Sequence, residues 1–461
     1  MRTVLCLVCA LSCAPAQVKL PPAETATLAN GIRLIMAPRK EIPMVTLRLV
    51  VRGGGEADPV DQAGLSDITA ELLQRGAGRL DAAAFAERLD SLGAALDIGT
   101  SAQATTIRLE FLAKDAAPAL DLVAGAVAHP AFAEAEVKKS LAESIDAVKS
   151  SKDEPGEAIR SYSAALLFGP RHPYGRVVDE RSLARITRAG ILAHHQRYYV
   201  GRNIIAVVAG DFDPAAMRKL VEAAFGGMPA GEAYAWLESV APPRHDKPRL
   251  LLVDKPDSTQ TYFTIALPGI RRGHPDRVGL WLVNTLFGER FTSMLNEALR
   301  VNSGLSYGAR CGIQLDRLTG AITISSFTKN ETTVQAIDLA LATLGRLRDK
   351  GIDAAMLASA KKYVKGNFPI QALETDGQVA TILGDLELFG MNRGEIDDLF
   401  SRIDSVTLEK ANALARTYFT GANPQFCLVG KAAEIEKSVA KYAPAMKVIP
   451  IGDPGFAVPE F

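Results

Sequence analysis

The chain has 461 residues, 48% of them hydrophobic and 23% charged. That composition is ordinary for a folded protein, excludes a disordered or fibrous one, and is long enough for two or more domains. Lysine plus arginine equals aspartate plus glutamate at 52 each, so no global field draws the chain to nucleic acid or to an anionic membrane.

Residues 1–16 are of a different character. Arg2 precedes the apolar run "VLCLVCAL", and "APAQ" follows, with Ala14 and Ala16 at the small-residue spacing of a signal-peptidase site. This pattern predicts a secretory signal cleaved after Ala16. The apolar run is far shorter than the roughly 20 residues that span a bilayer, and no later stretch is apolar enough, so no transmembrane segment is expected. Lipid attachment at Cys13 is the weaker alternative, because "ALSC" matches the lipid-attachment pattern poorly. Cys6, Cys9 and Cys13 fall within this segment, leaving Cys311 and Cys427 in apolar, strand-like runs. They supply no cysteine-rich metal site and are either a disulfide or two buried thiols.

In the first half, "GIRLIMAPR" and "MVTLRLVVRGG" alternate as half-buried strands do. "GLSDITAELLQRGA" (64–77) then reads as an amphipathic helix carrying Asp67 and Glu71 one turn apart on one face, with Arg75 a turn beyond Glu71. Like charges so placed cost only about 0.2–0.5 kcal/mol, and Asp67 near the helix start is favoured by the dipole. "AAAFAERLDSLGA" and "KDAAPALDLVAGAVAHP" have helical spacing, and "ATTIRLEFL" is a further strand. Strands grouped with strands and helices with helices predict an α+β fold of antiparallel sheets, each covered on one face by helices.

An internal duplication organises the chain. "TRAGILAHHQRYYVGRNIIAVVAGDFD" (187–213) is echoed without a gap by "TLEKANALARTYFTGANPQFCLVGKAA" (407–433). Thr187, Tyr198, Gly201, Asn203 and Gly210 match Thr407, Tyr418, Gly421, Asn423 and Gly430 at one constant offset. So long a period suits a duplicated domain rather than a solenoid. The copies are expected at 25–225 and 249–445, joined by a Gly- and Pro-rich linker at 226–248 and followed by a tail at 446–461.

The order "TLANGIRLIMAPR", "IPMVTLRLVVRGGGEADP", "AGLSDITAELLQRGA", "DEPGEAIRSYSAALLFGPRHPYGR" and "ERFTSMLNEALRVNSGLSYGAR" resembles the insulinase or pitrilysin (inverzincin) metallopeptidases across the whole mature chain. In catalytic members the helix after Gly-Leu carries His-x-x-Glu-His, two zinc ligands and a general base. Aligned on Gly64 and Leu65, those places hold Asp67, Ala70 and Glu71, and the third ligand position falls at Ser144, with Glu143 beside it. The resemblance therefore implies that this chain binds no zinc. It also implies a retained pair, because Arg300 and Tyr307 match an arginine closing a helix and a tyrosine on the following strand that support a substrate carbonyl or oxyanion.

Loss in one half with retention in the other points, through the resemblance, to one half of a clamshell. The chain is then the substrate-binding, non-zinc subunit of a secreted or periplasmic heterodimeric zinc metallopeptidase. Zinc sits on a homologous partner subunit, and a peptide lies extended against a sheet edge. The alternative is a catalytically inert scaffold subunit of a larger complex. Asp67, Glu71 and Glu143 would make only a weak oxygen site for calcium or magnesium, and the adjacent His194 and His195 face different directions on a helix. No Gly-x-Ser-x-Gly elbow, phosphate loop or dinucleotide fingerprint supports independent hydrolase chemistry.

Overall fold

The first three strands are β1 (Glu24–Thr27) and the apolar-rich runs β2 (Arg33–Pro38) and β3 (Met44–Arg52), in a computed structural model that describes residues 18–238, 240 and 244–461. The predicted signal segment lies outside the described residues. Next come α1 (Leu65–Glu71), α2 (Ala82–Ser91), β4 (Ala95–Thr100), β5 (Ala104–Leu112), α3 (Ala116–Ala128), α4 (Glu134–Ser151), α5 (Pro155–Phe168), α6 (Arg188–Tyr198), β6 (Ile204–Gly210) and α7 (Pro214–Phe225). The second half contributes β7 (Arg249–Asp254), β8 (Gln260–Pro268), α8 (Arg277–Asn284), β9 (Ala309–Leu315), β10 (Gly320–Lys329), α9 (Thr333–Lys350), α10 (Ala354–Ala372), α11 (Asp376–Leu388), α12 (Leu408–Tyr418), β11 (Gln425–Gly430), α13 (Ala432–Val439) and β12 (Ala445–Pro450).

The duplication is carried by the topology. One sheet runs β1-β2-β6-β3-β5-β4 and the other β12-β7-β11-β8-β10-β9, so five strands recur in the same order. Both sheets contain a parallel pair, β2 with β6 and β7 with β11, whose second member pairs antiparallel with the next strand, β3 or β8. That pair needs a long crossover, which the intervening helices supply. Thr187 and Thr407 each cap the next helix, accepting from the backbone N–H of Gly190 and Lys410. The sheets differ at one edge. β1 pairs antiparallel with β2, whereas β12 pairs parallel with β7. Residues 445–450, assigned by sequence largely to a tail, are thus an edge strand, and Phe456 beyond them is buried against Tyr162 at 5.0 Å between ring centroids.

The expectation of one covered face per sheet is corrected by the packing. One face of the first sheet (Leu34, Leu47, Leu49, Val208) packs on helices of its own half. Its other face (Ile35, Val50, Ile205, Val207) lies under Val379, Ala380, Leu383 and Leu386 of α11, from the second half. Reciprocally, α5 of the first half places Ala158, Ile159, Tyr162 and Leu166 on Leu251, Val253, Cys427 and Val429 of the second sheet. Each fully buried leucine- or valine-sized side chain in these contacts contributes about 1.5–3 kcal/mol. The approach of α11 is close: a Cβ at Gly384 would meet the Arg48 guanidinium at 2.7 Å. Arg48 donates to the Thr381 carbonyl (2.6 Å) and to Asp385 (3.1 Å), fixing that helix in register.

A buried carboxylate closes the seam between the halves. Glu56, its side chain wholly buried, pairs with Arg317 of the β9–β10 turn at 3.1 Å. Its other oxygen accepts from Tyr174 (3.0 Å) and Gln103 (3.3 Å), and the Tyr174 hydroxyl accepts from the Leu318 N–H (3.1 Å). Arg317 also stacks 4.7 Å above Trp236, in the segment joining the halves. Cys311 and Cys427 are free and buried. Their strands are separated by β10 and β8, about 14 Å at the usual strand spacing, which excludes a disulfide between them.

Two outcomes follow from the shared covers. Arg317→Ala strands Glu56 without its cation and is expected to cost about 3–5 kcal/mol in urea unfolding, while adding Glu56→Gln to that variant restores part of the loss. Residues 18–225 expressed alone expose the face that α11 covers and are expected to aggregate or bind a hydrophobic dye, with co-expression of 249–461 restoring a soluble complex.

Candidate functional site

In the first half, the sharp entry to α1 places the zinc-motif positions. Gly64 adopts φ +98°, where a side chain is disfavoured, and a Cβ there would meet Val178 at 2.9 Å. Asp58 rather than the N-cap residue satisfies the helix start, accepting from the N–H groups of Gly64 (2.8 Å) and Ser66 (2.9 Å). Burial nevertheless pushes its carboxyl up to about 7. Asp67 remains open to solvent, yet the protein crowds it enough to push its carboxyl upward, with Thr100 pulling the other way. Ala70 is buried, its methyl standing where a general base would be.

Glu71 is held by cations and hydroxyls of the protein itself. Its carboxylate accepts from Arg75 (2.9 Å) and from Ser140 of α4 (3.1 Å), and Arg75 reaches Glu143 at 3.3 Å. Ser144, one turn along α4, is half-buried. A guanidinium therefore bridges Glu71 and Glu143, two of the three carboxylates that a weak calcium or magnesium site would have used. Among the described residues no group of three or more His, Cys, Asp or Glu side chains is placed to hold a metal ion. His194 and His195 are buried, His195 against the Val127 carbonyl at 2.8 Å. Burial lowers His194 to about 4 and lowers His195 as well, which makes both neutral packing residues.

The second half holds Arg300 and Tyr307 on one concave surface. Arg300 sits in a π-helical turn, Glu297–Asn302, a second such turn being Thr285–Glu289; such widened turns recur at functional sites. Gly304, at φ +64°, ends the helix. Tyr307 lies in the turn ahead of β9 rather than on the strand as expected, because Ser306 and Gly308 are tied to Ser326 of β10 before the ladder begins. Tyr307 is 81% exposed. Arg300, also exposed, stacks over Phe291 at 4.8 Å. Among the described residues neither side chain has a hydrogen-bond or ion-pair partner, so both retain free donors.

Both line a cavity of about 1080 Å³. Its floor is the face of β10 and β9 that α5 leaves uncovered, with Thr323 and Ser325 pointing up, and α5, tied to β8 by Thr264 and Ser163 at 3.0 Å, is one wall. Sequence reasoning missed this wall, which comes from the other half. It also missed two edge caps: Asn284 donates to the Cys311 carbonyl (2.9 Å), and Asn296 accepts from the Ala309 N–H (3.4 Å), occupying the first half of the outer edge of β9. The corresponding edge strand β4, beside α1, has no such cap among the described residues. Two asparagines amid the apolar run of α8 and the turn after it were the available signal.

Comparison with known proteins bears on both halves. Residues 34–164 match the family described as insulinase (peptidase family M16), and residues 185–364 match the peptidase M16 inactive domain. An uncharacterized zinc protease, YmxG, of Bacillus subtilis is 24% identical over 396 residues, 86% of this chain and 95% of that protein. The non-peptidase homolog YmxG of Helicobacter pylori is 21% identical over 379 residues, covering 82% and 87%. Among solved structures, a peptidase M16 inactive domain from Pseudomonas fluorescens superposes with a TM-score of 0.83 at 23% identity, covering 93% of this chain and all of the other. A subunit of complex III from Candida albicans does so at 0.74 and 14%, covering 89% and 97%. With the two-sheet fold, the altered His-x-x-Glu-His positions and these matches together, the chain belongs to the insulinase, or M16, peptidase family.

Proposed function

We propose that this chain is the substrate-binding, non-zinc subunit of a secreted heterodimeric M16 metallopeptidase, the zinc being held by a homologous partner subunit. The observation that carries the reading is the pairing of Arg300 and Tyr307, two donors without partners among the described residues, on the wall of a cavity large enough for several peptide residues. A guanidinium and a phenol can together hold a peptide carbonyl oxygen and gain strength as charge grows on it. They can position and polarise but supply no nucleophile, so the chain alone is inactive. Its own zinc-motif positions do not fit the metal: Asp67 and Glu71 replace imidazoles, Ala70 offers no base, Ser144 no carboxylate, and Arg75 fills the charge gap. Secretion to the periplasm or beyond rests on the signal-like segment at 1–16.

A second reading, an inert scaffold subunit, draws on the relative named a non-peptidase homolog and on the fold shared with a complex III subunit. In that reading Arg300 and Tyr307 do nothing for a neighbour's chemistry.

The deciding experiment mixes the purified chain with its nearest His-x-x-Glu-His homologue and follows cleavage of a quenched peptide. Activity is expected only in the mixture, with zinc recovered on the partner. Arg300→Ala/Tyr307→Phe should lower kcat by about 100-fold, the scale of losing an oxyanion donor, without dissociating the subunits. A mixture no more active than the homologue alone establishes the scaffold reading. In a separate check by metal analysis, Asp67→His/Ala70→Glu/Glu71→His is expected to leave the chain free of tightly bound zinc, because Arg75 and Ser144 remain; adding Arg75→Leu and Ser144→Glu should bring zinc toward one per chain.

A further inference from the structure

The charges around the Arg300 cavity are one-sided. Arg160 from α5, Arg290, Arg300 and Arg310 from β9 line it, against a single carboxylate, Glu289. That carboxylate is already engaged, by Thr285 at 2.8 Å and the Trp281 indole at 3.2 Å. The chain as a whole carries equal numbers of acidic and basic residues, so the excess is a property of this surface. Arg300 and Arg310 have no carboxylate within reach among the described residues, and Arg160 has only Glu157, 3.5 Å away with both side chains exposed, a pairing of little strength. Arg290 donates one N–H to Ser359 (2.9 Å), and its Nε is buried without a partner. All four cations are guanidinium forks, which bind carboxylates through two parallel hydrogen bonds, and no lysine is among them.

We propose that this cavity selects peptides carrying acidic side chains, holding their carboxylates between Arg310 on the floor and Arg160 and Arg290 on the walls. The inference rests on the reading of the chain as a peptide-binding subunit and names its substrate class. Basic peptides are turned away by like charge. The capped edge of β9 agrees with this mode of binding. With its first backbone groups taken by Asn284 and Asn296, a peptide is gripped there through side chains rather than by full strand addition.

The test uses the mature chain alone and three labelled, unstructured peptides of equal length that differ only in carrying Glu, Gln or Lys at the same positions, with binding read by fluorescence anisotropy at low and high salt. The acidic peptide is expected to bind about tenfold more tightly than the neutral one at low salt, about 1.4 kcal/mol, with the margin shrinking as salt screens it. Arg160→Gln/Arg310→Gln, at two exposed positions, should bring the three peptides to near parity with unchanged thermal melting, and Arg310→Glu should shift preference toward the Lys peptide. Equal affinities, no binding of any peptide, or an acidic preference that survives the double variant overturns the proposal. Because no cleavage is measured, the two ideas fail separately. Acidic selectivity without stimulation of a partner sinks the composite peptidase alone, and stimulation without selectivity sinks the acidic subsite alone.

Discussion

A sheet whose strands are apolar on both faces must be covered twice, and in this chain each half supplies only one cover for its own sheet. Strands β6 and β11 are buried from end to end, and their second faces are hidden by α11 and α5, each borrowed from the opposite half. The exchange makes the halves a single cooperative object, since displacing either helix uncovers a sheet in the other half. It also leaves a geometric remainder. A helix is about 10 Å across and strands lie about 4.8 Å apart, so α5 covers roughly two strands of a six-stranded sheet. It sits on β11 and β8, where Thr264 bonds Ser163 at 3.0 Å, and the unfilled face of β10 and β9 becomes the floor of the cavity. The site is thus a consequence of the same packing that holds the fold together.

Electrostatics treats the two halves differently. At the positions aligned with the zinc motif, carboxylates from α1 and α4 converge, and a positive charge is required there; Arg75, one turn beyond the end of α1, supplies it at hydrogen-bond distance from both. The network is partly open to water, which limits its strength to the modest range of exposed pairs; it engages Glu71 and Glu143 and leaves Asp67 to solvent. The second half shows the reverse condition. Among the described residues nothing engages the donors of Arg300, Arg310 and Tyr307 in hydrogen bonds or ion pairs, and the nearby acid is occupied elsewhere. A surface whose neighbouring carboxylates are already bridged by a guanidinium has little to offer a metal ion, whereas unanswered donors in a concavity have a great deal to offer a ligand.

Much of this was legible in the chain. Five identities at constant offset identified the duplication, and the helices they flank, Arg188–Tyr198 and Leu408–Tyr418, correspond residue for residue. The strand readings at 33–38, 44–52 and 104–112 hold because short apolar-rich runs are local information, although only 104–112 alternates in burial and the first two are buried on both faces. Identity of residue did not guarantee identity of role. Asn203 bonds the carbonyls of Arg52 and Tyr198, whereas Asn423 takes a left-handed conformation and bonds that of His245. What stayed hidden were contacts between residues far apart in sequence: α11 on the first sheet, α5 on the second, Glu56 with Arg317. Periodicity tells which side of a helix is apolar but not whose sheet it meets. The strand at Ala445–Pro450 was lost for a related reason. Its exposed, mixed residues have no alternation to read, because a parallel edge strand owes its place to the ladder with β7 rather than to a buried face.

The two edge strands complete the contrast between the halves. In the first sheet, β4 runs beside α1 with its outer backbone groups unclaimed by any described residue, the condition under which an extended chain can add as a further strand. In the second, the equivalent strand β9 has its leading groups taken by Asn284 and Asn296. A peptide passing that edge cannot pair continuously with it and must be held by whatever side chains face it, and those are the guanidinium groups and Tyr307. Backbone pairing reads no sequence, because every residue offers the same N–H and C=O. Side-chain donors do read it. On the proposed reading, the half without the metal ligands has the edge suited to general grip, and the half with Arg300 and Tyr307 is the one able to discriminate among peptides.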